Sequence, residues 1–90
     1  MGGLKDAVYN ISEKFELPSE TVAAVPKLTI TGRRRVLIEN HRGLLLLSPE
    51  LIQVKGGRVS VSIRGDCLEL RAMNKTEMLI TGTVTAVELD

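Results

Sequence analysis

The feature that most constrains the fold is a change of hydrophobic period near Lys27. The apolar residues within 4–15 recur every three or four positions, which is the spacing of one helical face. Beyond Lys27 the apolar and polar residues alternate, most clearly over 59–64. Residues that alternate in this way line the two faces of a β-strand. We therefore predict an amphipathic helix within an N-terminal segment, residues 1–26, followed by a β domain, residues 27–90.

Turn signals divide the β domain into short strands. They recur often enough to predict about eight strands, which is typical of a compact antiparallel β-sandwich. A short β-solenoid is the alternative, because an Ile-x-Gly step recurs before three of the apolar runs. The Gly56-Gly57 pair and the string ending at Gly43 resemble hairpin turns, which join antiparallel neighbours and favour the sandwich. The glycines expected to form structural turns are Gly32, Gly43, Gly65 and Gly82.

Composition argues against most kinds of enzyme. The chain has one histidine, His41, and one cysteine, Cys67, and the two are distant in sequence. A nucleophilic pair or a zinc site needs several such groups at close spacing. We therefore predict a protein that is not an enzyme, with no catalytic residues, no metal and no cofactor.

The same counts bear on cellular location. A lone cysteine suits a reducing compartment. The longest apolar run, Leu44–Leu47, is far shorter than the ~20 residues of a membrane helix. We expect a cytoplasmic protein.

Three consecutive arginines, Arg33, Arg34 and Arg35, follow the Gly32 turn signal. Three guanidinium groups in one place form a positive patch for a phosphate, an acidic partner or an anionic membrane surface, although a solvated corner is the simpler interpretation. Nucleic-acid binders usually add aromatic stacking platforms, and this chain has one Tyr and one Phe. Nucleic acid is therefore not the expected partner. An anion-binding or nucleic-acid-binding regulatory module that uses Arg33–Arg35 remains the alternative function.

Two further stretches are candidate partner-binding surfaces. Glu39, Asn40, His41 and Arg42 precede Gly43 in a string whose Asn and Gly suit positive backbone φ angles, so turn formation is the simplest role. A partner contact is the sharper hypothesis for the same string.

Leu44 to Leu47 are apolar on both faces of the strand that they predict. That pattern indicates a central strand, or a partner contact by strand addition through Leu45 and Leu47.

The order of these motifs resembles the YabP/YqfC sporulation protein family, and in particular its YqfC branch. The resemblance extends over residues 4–89, and its most specific part is the string Ile38-Glu39-Asn40-His41-Arg42-Gly43 between two predicted strands. The other matching pieces are Leu17-Pro18, Pro26, Leu28 to Gly32, Ile52, Val61 to Gly65, Leu68-Glu69-Leu70, Met73, Glu77, Leu79-Ile80 and Gly82.

The resemblance implies a non-enzymatic protein of endospore-forming bacteria that acts in spore morphogenesis. It implies an immunoglobulin-like β-sandwich and a location in the mother-cell cytoplasm, at the periphery of the forespore-facing membrane. A binding or scaffold role is expected, with a protein partner such as a YqfD-like membrane protein, or with further copies of the chain in a homo-oligomer.

Overall fold

The computed structural model describes residues 25–90, so the helix expected within residues 4–15 lies outside them. The described residues are almost entirely β-structure, and no helix among them is long and apolar enough to cross a membrane. The strands are β1 (Lys27–Thr31), β2 (Arg35–Glu39), β3 (Gly43–Leu47), β4 (Leu51–Lys55), β5 (Ser60–Met73) and β6 (Glu77–Leu89).

The six strands of residues 25–90 belong to one sheet with the order β1-β2-β6-β5-β4-β3. Every pairing is antiparallel, which confirms the predicted mainly β, antiparallel class. The structure does not show the two separate sheets of the expected immunoglobulin-like sandwich, because hydrogen bonding is continuous from β1 to β3. The β-solenoid alternative is wrong, because stacked coils pair in parallel.

Residues 25–90 form six strands and not the expected eight, because two of the predicted turns are bulges inside long strands. Gly65 and Gly82 lie inside β5 and β6, next to shifts in the β5–β6 register. A Cβ atom on Gly65 would overlap the carbonyl oxygen of Thr83, and one on Gly82 would lie 2.6 Å from the carbonyl oxygen of Cys67. Glycine at these positions therefore lets two backbones approach each other in bulges.

The long β5–β6 hairpin is folded back on itself. The Asn40 N–H donates to the carbonyl of Thr76 in the hairpin turn, at 2.6 Å, and the Arg42 N–H donates to the carbonyl of Lys55, at 2.7 Å. Lys55 pairs with Ser60, at the opposite end of the hairpin. A straight strand of 14 residues such as β5 would separate its ends by about 40 Å. Asn40 and Arg42, which bond to the two ends, are only two residues apart and span about 7 Å. The two ends of the hairpin must therefore lie close together, and the hairpin bends at its bulges.

The bend lets one face of the sheet enclose a single aliphatic core. Register places buried residues opposite one another, as with Val36 and Ile80 on β2 and β6, or Ile52 and Ile63 on β4 and β5. The cluster joins residues from both halves of the sheet: Val36, Ile38, Ile52, Val54, Val61, Ile63, Leu68, Met78, Ile80 and Val84.

Substitution of Gly65 tests the close approach of β5 and β6. We expect Gly65→Ala to lower the free energy of unfolding by about 3 kcal/mol, because the added methyl group has no space beside Thr83. Gly32→Ala is the control, since Gly32 also has an unusual backbone, with φ +56°, but open space around it. It should cost only about 1 kcal/mol from backbone strain. Urea unfolding followed by circular dichroism measures both, and a smaller loss at Gly65 than at Gly32 would contradict the bulge assignment.

Candidate functional site

The β2–β3 corner, Asn40 to Gly43, connects parts of the chain that are far apart in sequence. Asn40 has φ 64° and Gly43 has φ 134°, conformations that suit these two residue types. The Asn40 side-chain amide donates to the carbonyl of Val25 at 2.8 Å. The N–H groups of Asn40 and His41 both donate to the carbonyl of Thr76. The most specific string of the family resemblance is therefore also a structural corner.

His41 is the buried centre of this corner, with 5% of its surface exposed. Its Nδ1 accepts a hydrogen bond from the Gly43 N–H at 3.0 Å, and its Nε2 lies 2.9 Å from the carbonyl oxygen of Asn74. A neutral imidazole protonated on Nε2 satisfies both contacts. Both ring nitrogens are engaged, so in this arrangement neither can act as a base or hold a metal.

The solvent-facing part of the corner is smaller than the sequence string suggests. Arg42 is exposed, whereas Glu39 and Asn40 are half-buried. The Glu39 carboxylate lies 3.8 Å from the Lys27 ammonium, in an ion pair between β2 and β1. Of the four candidate residues, Arg42 is the one whose side chain is most open to a partner.

Two of the three arginines, Arg34 and Arg35, line a cleft on the surface of the sheet. Arg33 and Arg34 form the turn between β1 and β2, and Arg35 begins β2. The cleft has a volume of about 760 Å³. We call it the arginine cleft, and its lining residues are Thr31, Arg34, Arg35, Cys67, Glu69, Thr81, Gly82 and Thr83. The structure thus brings Arg34 and Arg35 together with threonines that the sequence did not single out.

The apolar run after the corner lies at the edge of the sheet and not in its centre. β3 is the last strand in the sheet order, and Leu44 alone among its leucines packs against the core. The exposed fractions are 56% for Leu45, 42% for Leu46 and 51% for Leu47. We call these three residues the leucine edge. Sequence reasoning selected Leu45 and Leu47 but missed Leu46, because a regular strand would turn Leu46 away from them.

The register of β3 explains why all three leucines are exposed. Leu44 pairs with Val54 and Leu46 pairs with Gln53, so Leu45 is the extra residue of a bulge. The leucine edge also borders a groove of about 550 Å³ that Leu47 shares with Pro49, and whose other lining residues are Ser48, Leu68, Glu69, Leu70 and Arg71. The most distinctive surface of residues 25–90 is an exposed apolar strand beside a groove that leucines and polar residues line together.

The described residues contain no group of three or more His, Cys, Asp and Glu side chains that could hold a metal ion. Cys67 is exposed and has φ 52°, which is uncommon for a residue with a side chain. Nothing in the sequence around Cys67 signals this conformation, because it arises from the β5–β6 bulge.

Comparison with known proteins identifies relatives by sequence. The model of the YabP family matches residues 23–90. A Bacillus subtilis (strain 168) protein named "Uncharacterized protein YqfC" is 31% identical over 77 residues, which cover 86% of this chain and 83% of that protein. No solved structure matches the chain with significance.

Removal of the His41 side chain tests its structural role. We expect His41→Ala to lower the free energy of unfolding by about 2 kcal/mol, because the Gly43 N–H and the Asn74 carbonyl lose their partner in a buried place. The exposed neighbour provides the control, and Arg42→Ala should change stability by less than about 0.5 kcal/mol. Thermal and urea unfolding give both values, and equal effects would show that His41 does not hold the corner.

Proposed function

This chain belongs to the YabP family, and on that basis we propose that it is a non-enzymatic binding or scaffold module that acts in spore morphogenesis. The proposal rests on two kinds of support. The family relationship supports the process, and the leucine edge supports binding as the molecular activity.

The leucine edge is the observation that carries the proposal. An edge strand presents unpaired N–H and C=O groups, which form a template for a strand from another chain. Soluble proteins usually protect such edges with charged residues, yet β3 consists of Gly43 and four leucines. Exposed apolar surface of this kind marks interaction sites. Strand addition along β3 would cover the leucines and pair the outer backbone groups of β3, which no other strand of residues 25–90 pairs.

The neighbouring groove adds a means of selecting the partner. Main-chain hydrogen bonds give affinity in strand addition, whereas pockets for alternate side chains give specificity. Leu47 belongs both to the leucine edge and to the groove, which Leu68 and Leu70 line from β5. A strand added beside β3 could therefore place an apolar side chain in the groove, against Leu47, Leu68 and Leu70.

In this proposal the partner is a YqfD-like membrane protein, and the chain works from the mother-cell cytoplasm at the forespore-facing membrane. The uncharged leucine edge suits a partner segment close to a membrane, because no charge has to be desolvated when it is covered. A second copy of the chain is the other partner that the edge fits, since two uncharged β3 strands do not repel each other.

Charge insertion at the leucine edge tests the proposal. The full chain is co-expressed with a YqfD-like membrane protein, and the captured fraction is measured after detergent extraction. We expect Leu45→Lys combined with Leu47→Lys to weaken capture by about tenfold or more, because buried apolar contacts dominate interface energy. The control is Leu89→Lys, which adds a lysine at a leucine that is 59% exposed on β6 and should leave capture unchanged.

The same variants identify the partner class. Sedimentation of the wild-type chain alone shows whether it self-associates, and a dimer that only the double variant dissociates would assign the edge to a second copy. Unfolding curves confirm that each variant is folded. A wild-type chain that neither self-associates nor captures the membrane protein would overturn the proposed binding function.

A further inference from the structure

Three consecutive arginines, residues 33–35, lie at the β1–β2 turn and the start of β2. Among the described residues, Lys27, Arg64 and Arg71 each form an ion pair with a glutamate. No such ion pair joins a carboxylate of residues 25–90 to the consecutive arginines 33–35. Three neighbouring guanidinium groups repel one another, so a bound anion would relieve a local electrostatic cost.

The arginine cleft gathers hydrogen-bond donors onto one face of the sheet. Arg35 of β2 pairs with Thr31 on one side and with Thr81 on the other, and residues paired in this way point to the same face. The Arg34 guanidinium donates to the hydroxyl of Thr83 at 3.3 Å, which directs it into the cleft. Guanidinium and hydroxyl groups together are donors that suit an oxyanion.

The turn that carries the arginines is fixed in place before any ligand arrives. The Gly82 N–H donates to the carbonyl of Arg34 at 3.3 Å, and the Val84 N–H donates to the carbonyl of Arg33 at 2.6 Å. These bonds hold the β1–β2 turn against β6. The backbone that carries the arginines therefore does not have to be ordered when a ligand binds.

The backbone around the cleft has an uncommon conformation at Cys67, with φ 52°. Gly82, with φ 132°, has a conformation that suits glycine. Residues held in sparsely populated backbone regions cluster at binding sites, where the surrounding structure maintains them. Cys67 and Gly82 face each other across the β5–β6 bulge, and both line the cleft.

We propose that the arginine cleft binds a phosphate group, either as free phosphate or as the headgroup of an anionic lipid. Arginine forks match phosphate geometry, and a volume of about 760 Å³ leaves room for the group that carries the phosphate. Residues 25–90 contain no Phe, Tyr or Trp, so the described part of the chain lacks a platform for a stacked base. The one carboxylate of the cleft, on Glu69, is paired with Arg71 at 3.3 Å.

The experiment has two arms, both with the full chain. In the first, inorganic phosphate is titrated at constant ionic strength against chloride, and the amide signals of Thr31, Gly82 and Thr83 are followed by NMR. In the second, the protein is sedimented with phosphatidylglycerol vesicles and with phosphatidylcholine vesicles. Saturable binding in the first arm identifies a soluble phosphate ligand. Selective binding to phosphatidylglycerol in the second identifies a lipid headgroup.

A matched pair of variants locates the binding. We expect Arg34→Ala combined with Arg35→Ala to weaken binding by about tenfold or more, because charge-assisted hydrogen bonds are lost. The control, Arg42→Ala combined with Arg58→Ala, removes the same charge from two exposed arginines outside the cleft and should change binding by less than about threefold.

Two results would overturn the phosphate site. One is no binding above the chloride and phosphatidylcholine backgrounds. The other is an equal loss of binding in the cleft variant and in the control variant, which would indicate a diffuse effect of charge. The arginine cleft and the leucine edge share no residue, so failure here leaves the proposed binding of a protein partner standing.

Discussion

The described structure depends on the β2–β3 corner, whose backbone hydrogen bonds connect the two ends of the long β5–β6 hairpin. Through Asn40 and Arg42 the chain bonds to the β5–β6 turn and to the end of β4 within two residues. This geometry requires β5 and β6 to bend, and the bulges at Gly65 and Gly82 provide the bend. His41 stabilises the corner from inside by joining Gly43 to Asn74. The corner therefore adds backbone hydrogen bonds between the two ends of the hairpin to the strand pairing that runs through the whole sheet.

Strand pairing and strand order create both of the surfaces that we propose to bind ligands. Pairing of β2 with β6 places Arg34 and Arg35 beside Thr81 and Thr83 in one cleft. Strand order leaves β3 at the end of the sheet, where the bulge at Leu45 exposes three leucines. One surface is cationic and polar and the other is apolar. A module that contacts a phosphate-bearing surface and a protein strand through separate faces would suit an assembly role beside a membrane.

The sequence predicted the character of the local elements well and their number poorly. Alternation around Val61 and Ile63 identified a half-buried strand, and both side chains are fully buried. The Asn and Gly of the corner were correctly interpreted as residues that suit positive φ. Gly65 and Gly82 were interpreted as turns because a glycine in a bulge and a glycine in a turn have the same sequence signal. Only the cross-strand approach to Thr83 and Cys67 distinguishes them.

The sequence by itself determined that this chain is mainly β, that its core is aliphatic, and that it is related to the YabP family. These properties follow from residue types and their spacing, which are local. Tertiary structure alone decided that the strands form one folded-over sheet, that β3 is an edge strand, and that Arg35 lies beside Thr81. These properties depend on register and strand order. Both are set by contacts between residues distant in sequence, and no local pattern records them.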